Sequence, residues 1–347
     1  MRIVLEATAE GRPGRDRGIG RYLSEVRAAN RVLANEVQDL VLPIPDGRLG
    51  ELRVIPARRR ALGRITFDVF HAPTAYYATV PRRGVPQVVS ILDLIPLELA
   101  AHQRTGIKAN FVHRIGASAN AILTLSDHSA GRIQSRLGVP RERIFVAPLP
   151  VDPIFRPDGT RFDAGGRRYV AAMLDTRLSD PRKRGDWLRR MAPSWRRMGL
   201  KLVLVGDGTE TWTSEADGII GMGRIDDRTW AEVLRGAEVL VYPSAYEGQG
   251  LPPLEAIACG TPVVAASNTA LPEVVGSAGI LVPDVDVAGD PGRVMESMVS
   301  AVVGLLSEPD LRDRLVAETA GQAARFNATR FREQVDRAYR FAVEVSA

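Results

Sequence analysis

Two carboxylates eight positions apart, Glu247 and Glu255, frame the run "EGQGLPPLE". Gly248 and Gly250 between them permit tight turns and close backbone approach. Pro252 and Pro253 suit the first turn of a helix. The amide groups at such a helix start, those of Gly248, Gln249, Gly250 and Leu251, could hold a phosphate. A carboxylate accepts hydrogen bonds from sugar hydroxyls. One glutamate could therefore hold a sugar at one end of a diphosphate and the other a ribose at the opposite end, an arrangement suited to a nucleoside diphosphate-sugar. The glutamates alone leave a second reading open, in which Glu255 only favours the positive end of a helix and Glu247 is a solvated loop residue.

A second stretch, "DTRLSDPRKRGDWL" (175–188), places Arg177 and Lys183 six apart across a Ser-Asp-Pro turn. Two cations so placed could clamp a diphosphate and stabilise the charge that grows on it as a leaving group. A basic loop alone is as readily a solvated surface. Other groupings carry no chemistry. "SDHS" (126–129) brings Ser, His and Asp together only in sequence, whereas a catalytic triad is assembled in space, and Ser126 reads as a helix N-cap. The four histidines have no metal-ligand spacing and no Asp-x-Asp motif is present, so no metal and no cofactor is expected. His71, after a strand, reads either as a cleft residue or as a hydrogen-bonded structural one.

These stretches need elements to position them. Short apolar runs alternate with helical patterns. "RIVLEAT" (2–8), "DLVLPI" (39–44), "FDVFHAP" (67–73), "PQVVSILDL" (86–94), "AILTL" (121–125) and "RIFVAPL" (143–149) read as buried strands in the first half. "YVAAML" (169–174), "KLVLVG" (201–206), "GIIGMG" (218–223), "EVLVYPS" (238–244), "TPVVAA" (261–266) and "GILV" (279–282) do so in the second. Such alternation predicts parallel sheets covered by helices. A Pro-, Gly- and Asp-rich stretch, 151–166, reads as a linker. The expected architecture is α/β, with two doubly wound, Rossmann-like domains facing a cleft and ligands bound outside the carboxyl ends of their strands. The tail reads as helical, with Phe331, Val335, Tyr339 and Val343 spaced for one face.

Bulk composition narrows the class. The 347 residues show no apolar run near the ~20 that a membrane span needs. The opening "MRIVLEATA" is too short and too interrupted for a secretory signal, so a cytoplasmic location is expected. A single cysteine, Cys259, excludes an internal disulfide. Charge is uneven. The first 150 residues hold 22 of the 46 basic and 13 of the 41 acidic residues, a balance of +9 that leaves −4 for the rest. That suits contact with an anionic membrane or acceptor, with the arginine run at 58–60 as a candidate, or a merely solvated surface. No interleaved aromatic motif points to nucleic acid.

Taken together, the motifs resemble those of the retaining family 4 glycosyltransferases, of the GT-B fold. The likeness runs nearly end to end, through "GIGRY" (18–22), "DLIPLE" (93–98), "ILTLSDHSAGRI" (122–133), "RLSDPRKRG" (177–185) and, most specifically, "YPSAYEGQGLPPLEAIACGTPVV" (242–264). The resemblance implies a metal-independent transfer from a nucleotide sugar, with GDP-mannose the first expectation. The acceptor would be a glycan, a glycolipid or a small molecule. It implies that Glu255 holds the ribose, Glu247 lies near the donor sugar, Arg177 and Lys183 bind the phosphates, and Gly18 and Gly20 line the diphosphate from the first domain. It further implies that the final helices cross back, giving a first domain of 1–150 plus about 325–347 and a second of 167–324. The chain departs from the pattern at Leu92-Asp93, where His-Asp is frequent, and at Gln249, where a bulky apolar residue is usual. Asp93 or His71 is the candidate substitute on the sugar side. A nucleotide-sugar epimerase and an inactive sugar-nucleotide-binding scaffold are the rival readings.

Overall fold

The computed structural model describes residues 1–8, 18–43, 50–80, 84–99, 106–174 and 180–346. The chain forms two compact units, one of residues 1–150 with 327–347 and one of 151–326. Each is built on a six-stranded parallel sheet. In the first, strands β1 (Arg2–Glu6), β2 (Glu36–Leu40), β3 (Val69–Ala72), β4 (Gln87–Ser90), β5 (Ala121–Thr124) and β6 (Ile144–Val146) lie in the order 2-1-3-4-5-6. In the second, β7 (Tyr169–Met173), β8 (Lys201–Val205), β9 (Ile219–Gly221), β10 (Val239–Tyr242), β11 (Val263–Ser267) and β12 (Gly279–Pro283) lie in the order 12-11-10-7-8-9.

The second sheet shows why near-continuous apolar strands form. Val170 and Ala172 of β7, Leu202 and Leu204 of β8, and Val239 and Val241 of β10 enter one core, against Trp187, Leu188, Met191 and Trp195 of the helix Gly185–Arg197. Their alternate neighbours, Tyr169, Ala171, Val203, Val205, Leu240 and Tyr242, enter another, against Trp230, Ala231 and Leu234 of the helix Asp227–Gly236. Side chains alternate across a strand with period two, so a sheet covered on both faces needs apolar residues at every position. The 151–166 stretch belongs to the same unit. Its composition reads as a linker, but Phe155 and Ala164 are buried in the second core.

The first unit includes the helix Ala328–Glu344, which buries Phe331, Val335, Ala338, Tyr339 and Ala342. Val343, expected on that face, is 37% exposed. A helix turns 3.6 residues at a time, so the fourth apolar step falls at Ala342. Tyr339 ties the helix to the sheet. Its hydroxyl lies 2.8 Å from Nδ1 of the fully buried His71, whose Nε2 lies 2.8 Å from Ser90 Oγ. Tyr22 completes the group, its hydroxyl 2.6 Å from Ser90 Oγ. His71 is thus a structural histidine.

Burial depresses the pKa of His71 to about 3. The unfolded chain takes up that proton near pH 6.5 and the folded chain refuses it. Stability present above pH 6.5 is therefore lost as the pH falls toward 3, by about 1.4 kcal/mol per unit from this group. Denaturant titrations at pH 7.5 and 5.5 should show a loss about 1.4 kcal/mol larger for the unaltered chain than for His71→Gln. Equal losses would remove His71 as the cause.

Candidate functional site

The order of the second sheet reverses between β7 and β10, and ligands of doubly wound sheets bind in the crevice outside the strand ends at such a point. The chain leaving β10 runs through 243–250 into the helix Leu251–Ala258. The chain leaving β7 runs toward a single turn at Pro181–Lys183, capped by the Asp180 carboxylate, which accepts from Arg182 N. Arg177 lies outside the described residues. The two loops are joined by a backbone bond from Ala245 N to Arg182 O at 2.7 Å.

Glu247 is the centre of this junction, with 8% of its surface exposed. Its Oε1 accepts from Lys183 Nζ at 2.6 Å, Ser244 Oγ at 2.7 Å and the Tyr242 hydroxyl at 2.8 Å. Its Oε2 lies 3.1 Å from Arg182 Nη1. Burial alone would raise the carboxyl pKa, but the charges of Lys183 and Arg182 outweigh it and hold the group down to about 2. Burial pulls the Lys183 pKa down, opposed by Glu247. It pushes the Tyr242 hydroxyl well up, so that Tyr242 donates as a neutral phenol. Arg182 is braced in turn by Asp180 at 2.8 Å and by the Tyr246 carbonyl at 2.8 Å. Nothing in the sequence separates Arg182 from Arg184 in "PRKRG". Only the geometry does, since Arg184 turns away to Asp284 at 2.7 Å and stacks 4.1 Å over Trp187.

Glu255 sits one turn into the helix Leu251–Ala258, with 6% of its surface exposed. Its Oε2 accepts from Trp230 Nε1 at 2.9 Å, a partner the sequence did not reveal because Trp230 is 25 residues away. The helix entry depends on Gly250, at φ +96°, where an added Cβ would stand 2.9 Å from Leu271 Cδ2. Gly248 and Gln249 are buried beside it, and Leu251 packs against the small core of Leu254, Val274 and Phe326. The structure thus gathers Lys183, Glu247, Gly248, Gln249, Gly250, Leu251 and Glu255 at one sheet edge.

The remaining candidates belong to the first unit. Gly18 is the N-cap of the helix Ile19–Val32, and Gly20 is its second residue. Asp93 lies after β4, its carboxylate accepting from Ile95 N at 3.0 Å. Among the described residues no cluster of three His, Cys, Asp or Glu side chains could hold a metal ion, and no helix is long and apolar enough to cross a membrane.

Comparison with known proteins identifies the family of the chain. Residues 172–308 match the family model of glycosyl transferases group 1, and residues 13–155 that of Glycosyltransferase Family 4. The O-antigen chain mannosyltransferase B of Escherichia coli is 27% identical over 310 residues, covering 83% of this chain and 78% of that one. The phosphatidyl-myo-inositol mannosyltransferase of Mycolicibacterium smegmatis is 27% identical over 318 residues, covering 86% and 78%. The structure of a sucrose-phosphate synthase from Thermosynechococcus elongatus superposes with a TM-score of 0.77 at 18% identity, covering 98% of each chain, which shows a shared fold. The chain is a two-domain α/β enzyme that uses a nucleotide sugar, and it belongs to the group 1, family 4 glycosyltransferases with the GT-B fold.

Proposed function

We propose that this enzyme transfers a mannosyl residue from GDP-mannose, with retention and without a metal, to a glycan, glycolipid or small-molecule acceptor, and that it works at the surface of an anionic membrane in the cytoplasm. The observation that carries the donor site is the Arg182–Lys183–Glu247 junction, two cations and a carboxylate at a switch point beside a glycine-led helix start. In the transfer the bond from the anomeric carbon to the diphosphate oxygen breaks and a bond to the acceptor oxygen forms. The acceptor proton passes to the departing diphosphate. Lys183, Arg182 and the amides of Gly248 to Leu251 would stabilise that leaving group, with Arg177 a further contributor implied by the family motif. Glu255 would hold the ribose. The mannosyl preference is supported by the mannosyltransferase names of the two relatives.

A thermal-shift screen of guanosine and uridine nucleotides and their sugars tests the donor. A ligand at 100 times its dissociation constant adds about 2.7 kcal/mol of stability. GDP and GDP-mannose should raise the melting temperature with or without EDTA, and GDP-mannose turnover should survive chelation. A shift with uridine nucleotides alone would refute the mannosyl donor, and activity lost to EDTA and restored by magnesium would refute metal independence.

A further inference from the structure

Resting on the role proposed for Glu247 in the transfer, we infer that Thr269 is a positioning residue for that reaction. Its hydroxyl, aimed by Asn268 and Asp284, holds the backbone of Glu247 so that the carboxylate stays on Lys183 and Arg182.

Three described residues other than glycine take a positive φ, Ala34, Arg184 and Thr269. Two of them, Arg184 at +49° and Thr269 at +44°, stand beside the donor site. A β-branched residue is unfavourable in this left-handed region and persists there where its surroundings enforce it. Thr269 Oγ1 donates to Asn268 Oδ1 at 3.1 Å and accepts from Glu247 N at 3.0 Å. Asn268 Nδ2 donates to Asp284 Oδ2 at 2.5 Å and to the Ser244 carbonyl at 2.9 Å. A backbone carbonyl accepts and never donates, so the amide turns its NH2 toward Ser244 and its oxygen toward Thr269. The Thr269 proton then points at Asn268, and a lone pair is left for the Glu247 N–H.

Asp284, with 4% of its surface exposed, gathers the surrounding loops. Its Oδ1 accepts from Arg184 Nη1 and from Val285 N, both at 2.7 Å. Arg184 Nη1 also reaches the Pro243 carbonyl at 3.1 Å. One carboxylate thus ties together the chain segments that follow β7, β10, β11 and β12. A polar network with its partners in place is rigid. Arg58, the inward member of the run at 58–60, shows the contrast. It is fully buried and meets Glu6 Oε1 at 3.3 Å, but its Nε and Nη1 have no hydrogen-bond partner. Around Glu247 the backbone is held at two points. Ala245 N is bonded to Arg182 O at 2.7 Å, and Glu247 N to Thr269 Oγ1. Releasing the second point lets the carboxylate drift from its two cations.

Three substitutions test the contact. Thr269→Val keeps the shape and removes the hydroxyl, and Thr269→Ser keeps the hydroxyl. Thr269→Gly removes it while suiting the positive φ, and serves even where Thr269→Val does not fold. With GDP-mannose as donor and water as acceptor, Thr269→Val and Thr269→Gly should lose about tenfold in kcat, the cost of a small misplacement. Donor KM should stay within about twofold, and Thr269→Ser should stay near the parent. In a Glu247→Gln background, Thr269→Val should cost less than about twofold more, because it acts through Glu247. Amide hydrogen exchange at Glu247 should be at least about tenfold faster in Thr269→Val and Thr269→Gly and unchanged in Thr269→Ser. Normal kcat without the hydroxyl, or an equal fall in the Glu247→Gln background, would overturn the positioning role. Unchanged exchange at Glu247 would overturn the contact itself. Should the unaltered chain leave GDP-mannose intact, the proposed donor falls, and the exchange measurement still decides the contact.

Discussion

Glu247→Gln should lower kcat about a hundredfold and yet bind nucleoside diphosphate more tightly. In the free site the carboxylate neutralises two cations, with Lys183 at 2.6 Å and Arg182 at 3.1 Å. All three side chains are largely shielded from water, with 10–21% of their surfaces exposed. An incoming diphosphate must share those cations with the carboxylate. Glutamine keeps the shape and removes the competing charge, so the cations are left for the phosphate. The same change leaves two partly buried positive charges uncompensated, which destabilises the empty site. The variant should therefore melt below the parent when empty and recover most of the difference with GDP. On the proposed reading Glu247 also faces charge that develops at the sugar, and loss of such a group costs about 10²–10³ in rate. Calorimetric titration with GDP and initial rates with GDP-mannose give the two numbers. A normal kcat, or weaker GDP binding, would refute this account of the junction.

Glu255→Ala should fail differently, with donor KM raised ten- to a hundredfold and kcat spared. A carboxylate holding ribose hydroxyls makes charged hydrogen bonds worth about 1.5–3 kcal/mol each, equal in ground and transition states. Loss of uniform binding appears in KM alone. Trp230 supplies the internal control. Its indole N–H fixes Oε2 of Glu255 at 2.9 Å, so Trp230→Phe should loosen the carboxylate without removing it and raise KM by less, about fivefold for one ordinary hydrogen bond. In the double variant the second change should add little, because the two residues act through one contact. Additive effects would separate Trp230 from the ribose site, and a fall in kcat with either single variant would remove Glu255 from a purely binding role.

Strand patterns, more than propensities, made the fold legible. Short, valine-rich runs such as "KLVLV" and "EVLVY", bounded by turn residues, read as strands buried on both faces, and both sheets follow from their alternation with helical patterns. Where polar and apolar residues mix, the pattern is ambiguous. The helix Gly50–Leu62 contains Pro56 and three successive arginines, and it was read as a basic stretch because its inward arginine looks the same in sequence as its outward ones. The 151–166 stretch carries turn residues throughout, and nothing local shows that Phe155 is anchored in a core. In the site, the two glutamates and Lys183 were visible because glycines, prolines and a strand end surround them. Arg182 and Trp230 were not, since their importance lies in which atoms they meet across long stretches of chain.

The helix that carries Tyr339 also sets an order of events during synthesis. The first unit is interrupted by all 176 residues of the second, 151–326, and needs the segment that follows it. At the ribosome's pace of 5–20 residues per second, its sheet waits about 10–35 s for that helix. Until then Tyr22 and His71 lack the aromatic and hydroxyl partners that Phe331 and Tyr339 provide. The nascent chain thus presents an unfinished first half beside a complete second half, and holding it soluble through that interval falls to whatever binds apolar surface co-translationally.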